Sequence, residues 1–385
     1  MIRHSSRSIL FLAIAFGCAK PQAEPQPDIA RSGPGSILRE TTALAPPPER
    51  LYVTNQADAT VTVIDTRTNT VLRTVDLQKL GFSANAKPHH VQVEPDGSYW
   101  YVTLIGENRI VKLTFDDKVV ASTTFETPGM LTLDPDNGMM YVGRSMTAVN
   151  PPHRIGAIRR SDMTMGEVEV LFPRPHAMAL QRRTQMVYTA SLGVNQIAAM
   201  EVATERVTVT DVAGPQHSLM QFAISPDGNM MVVSGELSAK LLVFDIATDP
   251  KKPRLMKTID VGAQPFDPIF THDGRWVYLG NKAANTVTVI DARNWSVAEV
   301  VKHEGLSQPH GTAVSVDGRY VYVSNNNLKS AASMPGMDHS TTPMAAPPNA
   351  GGNGTIVVFD AASHRVVKVI EVGHNAAGIA TPSMR

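Results

Sequence analysis

Six histidines in this chain recur in one kind of setting, and imidazole is the side chain best suited to gather around a metal ion at neutral pH. His89 and His90 follow Pro88, His176 follows Pro175, and His310 follows Pro309. His217 lies two residues after Pro215, and His374 follows Gly373, which takes the proline's place. Two further units read Thr127-Pro128-Gly129-Met130 and Gln264-Pro265-Phe266-Asp267. Twelve histidines scattered over 385 residues would rarely put more than one in these slots. Three chemistries fit. Neutral rings could ligate Cu, Zn, Fe or Ni; polar rings could fill a wet channel mouth; protonated rings could hold an acidic ligand, at the cost of mutual repulsion.

A second group is Met334, Met337, His339 and Met344, set among Ser, Thr, Pro, Ala and Gly in residues 328–354. Thioethers are soft donors that favour Cu(I), so the segment reads either as a copper-binding loop or as a plain low-complexity insertion.

The elements that must position these residues follow from the repeat. The prolines at 88, 128, 175, 215, 265 and 309 are 40 to 50 residues apart, and each interval holds four strand-like runs. That period predicts an all-β, seven-bladed β-propeller with four-stranded blades. Turns such as Glu94-Pro95-Asp96-Gly97 and Ser225-Pro226-Asp227-Gly228 end the inner strands, and aromatic runs such as Tyr99-Trp100-Tyr101 begin the next ones. The final run, 374–380, is an inner strand without a blade of its own. It is expected to complete the first blade and remove the open sheet edge. Inner strands line the central channel, and the loops entering them share its top face. The histidines should therefore meet there. His89 and His90 can converge only if the strand has not yet begun or is bulged there, because neighbours on a regular strand face opposite sides. Arg109, Arg144 and Lys282 follow second strands and are expected at the same mouth.

The N-terminal residues read differently. Residues 1–17 combine a basic start with a short apolar run and resemble a lipoprotein signal peptide. Cys18, the single cysteine, is then a lipid attachment point, and 18–50 a Pro/Ala-rich tether. Residues 51–385 form the propeller. The expected location is the cell envelope, anchored to a membrane through Cys18, with the periplasmic face of the outer membrane favoured by Ala19. Zero net charge argues against a nucleic-acid partner.

Tyr52-Val53-Thr54-Asn55, Tyr322-Val323-Ser324-Asn325 and the Pro-Asp-Gly turns resemble the YVTN-repeat propeller family, a likeness that implies the fold and little about activity. The adjacent pair His89-His90 on a channel-lining strand also resembles the propeller domain of nitrous oxide reductase, where a ring of histidines binds a copper–sulfide cluster. The resemblance implies His89, His90, His176, His217, His310 and His374 as copper ligands. Met130 and Phe266-Asp267 depart from that pattern, so a smaller metal site is expected, with metal binding or redox chemistry as its role. An envelope scaffold that binds another protein and a haem-type cofactor helper are the alternative functions.

Overall fold

The computed structural model describes residues 48–328 and 351–382. Seven four-stranded antiparallel sheets follow one another along the chain. The first blade holds strands Arg50–Asn55, Thr60–Asp65 and Thr70–Asp76, and its innermost strand is Ala376–Ala380 from the far end of the sequence. The other innermost strands, opening blades two to seven, are Pro88–Val93, Pro128–Asp134, Pro175–Gln181, Leu219–Ile224, Pro265–Phe270 and Pro309–Val314. The propeller, its blade count and its closure by the last strand are as the repeat predicts.

The recurring residues have recurring jobs. Six of the seven second strands carry tyrosine at their third position: Tyr52, Tyr101, Tyr141, Tyr188, Tyr278 and Tyr322, all buried. Their rings fill the gaps between blades, and several hydroxyls bond to the next blade's turn. Tyr188 donates to the Pro250 carbonyl at 2.7 Å and Tyr278 to that of Ala361 at 3.3 Å. Tyr322 donates to Asn69 Oδ1 at 2.7 Å. A buried phenol with a partner adds a directional tie to apolar packing. The aspartates ending third strands serve local turns: Asp65, Asp245 and Asp360 accept from backbone N–H groups two or three residues on. Asn55 and Asn281 each bridge two threonine hydroxyls of the adjoining strand.

Outer strands are largely exposed, on both faces in places. Val71, Leu72, Val119, Val120, Val300 and Val367 are exposed there. The body of the molecule is thus a ring of inter-sheet cores around a channel lined by the seven innermost strands.

Candidate metal site at the channel mouth

Each innermost strand is entered through a non-glycine residue in the left-handed region: Lys87, Thr127, Arg174, Ser218, Gln264, Gln308 and Asn375, with φ between 43° and 57°. Its carbonyl accepts the backbone N–H that follows the second strand of the same blade, from Ile105, Ser145, Leu192, Glu236, Lys282, Asn326 and Gln56 in turn. After this residue every innermost strand gains one extra residue against its neighbour. The pairing jumps from Pro88 with Leu104 to Val91 with Val102, and equivalent shifts occur in the other six blades. Such a bulge re-aims side chains and leaves ladder groups to be satisfied otherwise. Hydroxyls of the second strands do this. Thr103 Oγ1 accepts from His90 N at 3.0 Å, Ser324 Oγ accepts from Gly311 N at 2.9 Å, and Thr54 Oγ1 donates to the His89 carbonyl at 3.1 Å. The threonine or serine of the YVTN pattern therefore pins the bulge.

Counting from the left-handed residue, the second position holds His89, Gly129, His176, Met220, Phe266, His310 and Ala377. Three imidazoles come from blades two, four and seven, spaced two, three and two blades apart around the axis. All are buried, at 6%, 2% and 5% exposure respectively, in a molecule where buried polar atoms ordinarily find partners. Close approach of neighbouring blades holds their backbones. A Cβ on Gly378 would meet the His89 carbonyl oxygen at 2.4 Å, and one on Gly143 would meet that of His176 at 2.3 Å.

The ring nitrogens are the informative atoms. His176 Nδ1 lies 2.7 Å from the Arg144 carbonyl and must donate to it, which leaves the lone pair on Nε2. His310 Nδ1 and His89 Nε2 are buried with no hydrogen-bond partner among the described residues. His89 Nδ1 has only a long contact, 3.4 Å, to the Gln56 amide. The His89 and His310 rings stand edge to face with centroids 6.0 Å apart, and Phe266 packs 4.7 Å from His310. Burial depresses all three rings, helped by neighbouring histidines and Lys282 at His89 and His310 and by Arg174 at His176. His89 falls to about 3, His176 to about 4, and His310 well below the ordinary histidine value. They are neutral at physiological pH. An imidazolium site for acidic ligands is therefore not what these three rings provide.

The other predicted ligands are placed elsewhere. His90, one position further on, is buried and depressed to about 3, chiefly by desolvation, but its Nδ1 accepts from Leu131 N at 3.2 Å. The neutral ring then carries its proton on Nε2 and faces the channel as a donor. His217 and His374 lie on the near side of the left-handed residue and do not join the ring. Both nitrogens of His217 are engaged, with Ser238 Oγ at 2.8 Å and the Ala213 carbonyl at 3.2 Å. His374 is half exposed and bonds Asp58 at 3.0 Å. The expectation that proline or glycine marks the strand start fails in these two blades: Pro215 precedes its strand by four residues, and Gly373 precedes its own by three. Met334, Met337, His339, Met344 and Cys18 lie outside the described residues.

Lys282 alone of the three predicted cations reaches the mouth. It is 4% exposed, its ammonium sits 4.7 Å from the Phe266 ring, and burial lowers it to about 8. Arg144 turns into its blade to pair with Glu167 at 2.9 Å and stack on Phe125, and Arg109 bonds Ser122 at the surface. Glu236, raised by burial, and Asp267, raised to about 7 by burial, share Lys282's field. These two carboxylates were not foreseen. Their signal was the alignment itself, since Glu236 occupies the same position as Lys282 and Asp267 the same position as His90. Met146, Leu192, Met220 and Phe266 form an apolar cluster beside the imidazoles. Among the described residues, no three His, Cys, Asp or Glu side chains already converge on one point at ligand distance.

The fold is that of a seven-bladed β-propeller whose innermost strands bring these residues together at the channel. The chain belongs to the family described as lactonase, seven-bladed β-propeller, whose model matches residues 166–359. Several solved structures share the architecture. A functionally unknown protein from Desulfotomaculum acetoxidans is 14% identical, with TM-score 0.67 over 86% of this chain and 98% of its own. Kuenenia stuttgartiensis hydrazine synthase is 16% identical, with TM-score 0.59 over 76% and 96%. The dihydro-heme d1 dehydrogenase NirN, solved in complex with DHE, is 14% identical, with TM-score 0.58 over 89% and 77%. At these identities the likeness is one of fold.

Proposed function

We propose that the protein binds a transition-metal ion, copper foremost, through His89, His176 and His310 at the top of the channel. The observation that carries this reading is the pair of orphaned, buried nitrogens, His89 Nε2 and His310 Nδ1, on rings kept neutral by burial. A buried polar atom without a partner costs about 1–3 kcal/mol, a cost that a bound ion would reverse. Two imidazoles sharing an ion at about 2 Å per bond have ring centres roughly 5–6 Å apart, so the 6.0 Å between His89 and His310 needs little more than rotation of the rings. Three nitrogens from three blades leave a coordination position open toward the mouth, as sites that act on a ligand do. The second nitrogen of His176 is already oriented by the Arg144 carbonyl, the arrangement that fixes a ligating tautomer. Copper there would supply one-electron redox chemistry. The nearby carboxylate Glu236 would offset its charge.

The setting proposed for this activity is the cell envelope, with Cys18 lipidated and residues 18–50 as the tether. Labelled palmitate incorporated by the native chain and not by Cys18→Ala supports that placement.

Titration calorimetry of chelator-treated protein with Cu(II), Cu(I) and Zn(II) tests the metal. The expected result is one ion per chain, with affinity reduced by on the order of 100-fold in His310→Ala and in His89→Ala. Absence of saturable binding by any of these ions, or unchanged affinity in both variants, overturns the reading.

A further inference from the structure

Below the imidazoles the innermost strands enclose a cavity of about 590 Å³. Its lining includes Pro226, His272, Asp317 and Pro382, so it opens at the face opposite the histidine mouth. The wall is mixed: Leu131, Met178, Phe222 and Phe270 form its larger apolar surfaces, and polar side chains line about as much of it. Among the polar groups, three are defined by their hydrogen bonding. His90 presents Nε2–H, because its Nδ1 is taken by the Leu131 amide. Gln221 presents its amide N–H groups, because its Oε1 is taken by Met178 N at 3.0 Å. Asp267 presents a carboxyl group 9% exposed, to which no described residue donates a hydrogen bond; only its backbone carbonyl is used, by Thr312 Oγ1 at 3.0 Å.

A buried carboxyl with no donor is costly unless something supplies one. Lys282 is not that donor. Among the described residues it makes no ion pair within 4 Å, and Glu236 influences it before Asp267 does. Water could solvate the carboxyl group, but Leu131, Met178, Phe222 and Phe270 in the same cavity give the apolar body of an organic occupant a surface to cover. His90 stands three and four blades from Gln221 and Asp267, hence across the channel from them.

We propose that this lower channel is a second binding site, for a small organic ammonium whose charged head meets Asp267 and whose apolar body lies against Phe222, Phe270, Leu131 and Met178. Gln221 and His90 accommodate an acceptor oxygen where the ligand carries one. The site is entered from the other face and shares no ligand atom with the proposed metal site, so either can fail without the other.

Calorimetry of the full chain, treated with chelator, against 2-phenylethylammonium, 2-phenylethanol and phenylacetate tests this. The ammonium is expected to bind saturably, and the isosteric alcohol on the order of tenfold more weakly or not at all; phenylacetate should not bind. Asp267→Asn keeps the shape of the side chain and should reduce ammonium binding by on the order of tenfold while leaving binding of the alcohol unchanged. Equal affinity for ammonium and alcohol, no saturable binding of the ammonium, or retained affinity in a folded Asp267→Asn overturns the proposal. If that variant does not fold, the comparison of the three probes on the native chain decides alone.

Discussion

His89, His176 and His310 differ from His217 and His374 by a few residues of register, and that difference separates a buried triad with unpaired nitrogens from two rings whose hydrogen bonds are local. The first group follows the left-handed residue that opens each innermost strand; the second precedes it. Beyond that residue the bulge turns side chains inward, so the same amino acid acquires a different chemistry. Position relative to one backbone conformation, and not proximity to a proline, decides which histidine faces the axis.

The largest effect that should separate the two groups is acid instability. The rings of His89 and His90 have folded values near 3 and that of His176 near 4, against about 6.5 in the unfolded chain. Because the unfolded state takes up protons that the folded state refuses, stability is lost as pH falls from about 6.5 toward 4. At pH 5 each such ring costs about 2 kcal/mol. Melting temperatures of metal-free protein between pH 7 and 5 should fall steeply, and less steeply in His89→Leu. A pH profile identical to the native one in that variant would place the acid sensitivity elsewhere.

A sharper test completes the ring. Met220 occupies in blade five the position that His89, His176 and His310 occupy in theirs. Met220→His should add a fourth imidazole and tighten copper binding by on the order of tenfold, measured by competition with a chelator. Unchanged affinity would mean that the equivalent position does not point at the same ion.

His217→Ala should leave metal affinity alone and cost about 1 kcal/mol in denaturant unfolding, the usual worth of a hydrogen bond lost where Ser238 keeps the Gly235 carbonyl as a partner. The smallest effect belongs to His374→Ala. Its pair with Asp58 is half in water, so the expected change is within about 0.5 kcal/mol and no metal is lost.

Much of the architecture was legible because it repeats. Asp-Gly turns, tyrosine-bearing second strands and the unpaired final strand each state a local requirement that recurs around the ring. A bulge was one of the two ways His89-His90 suggested for adjacent residues to share a channel; the bulge is present, but it sends the two rings to different places. The site was less legible because its register is set by a conformation that many residue types adopt here: Lys87, Thr127, Arg174, Ser218, Gln264, Gln308 and Asn375 have no side-chain chemistry in common. In blade five the loop Gly214–His217 lengthens the approach, and a proline that belongs to the loop imitates the start of a strand. Tautomers were beyond reach for a different reason. Whether His90 offers a lone pair or a proton depends on the amide of Leu131, 41 residues away.

The seam in the first blade has a temporal consequence. Thr54 and Gly378 touch across 324 residues of chain, so the edge of Arg50–Asn55 has no partner until nearly all of the polypeptide is available. During synthesis the disc is an open crescent with one unguarded flank, and joining its two tips demands the slowest kind of encounter a chain makes with itself. Until Ala376–Ala380 pairs with it, that edge is open to edge-to-edge association.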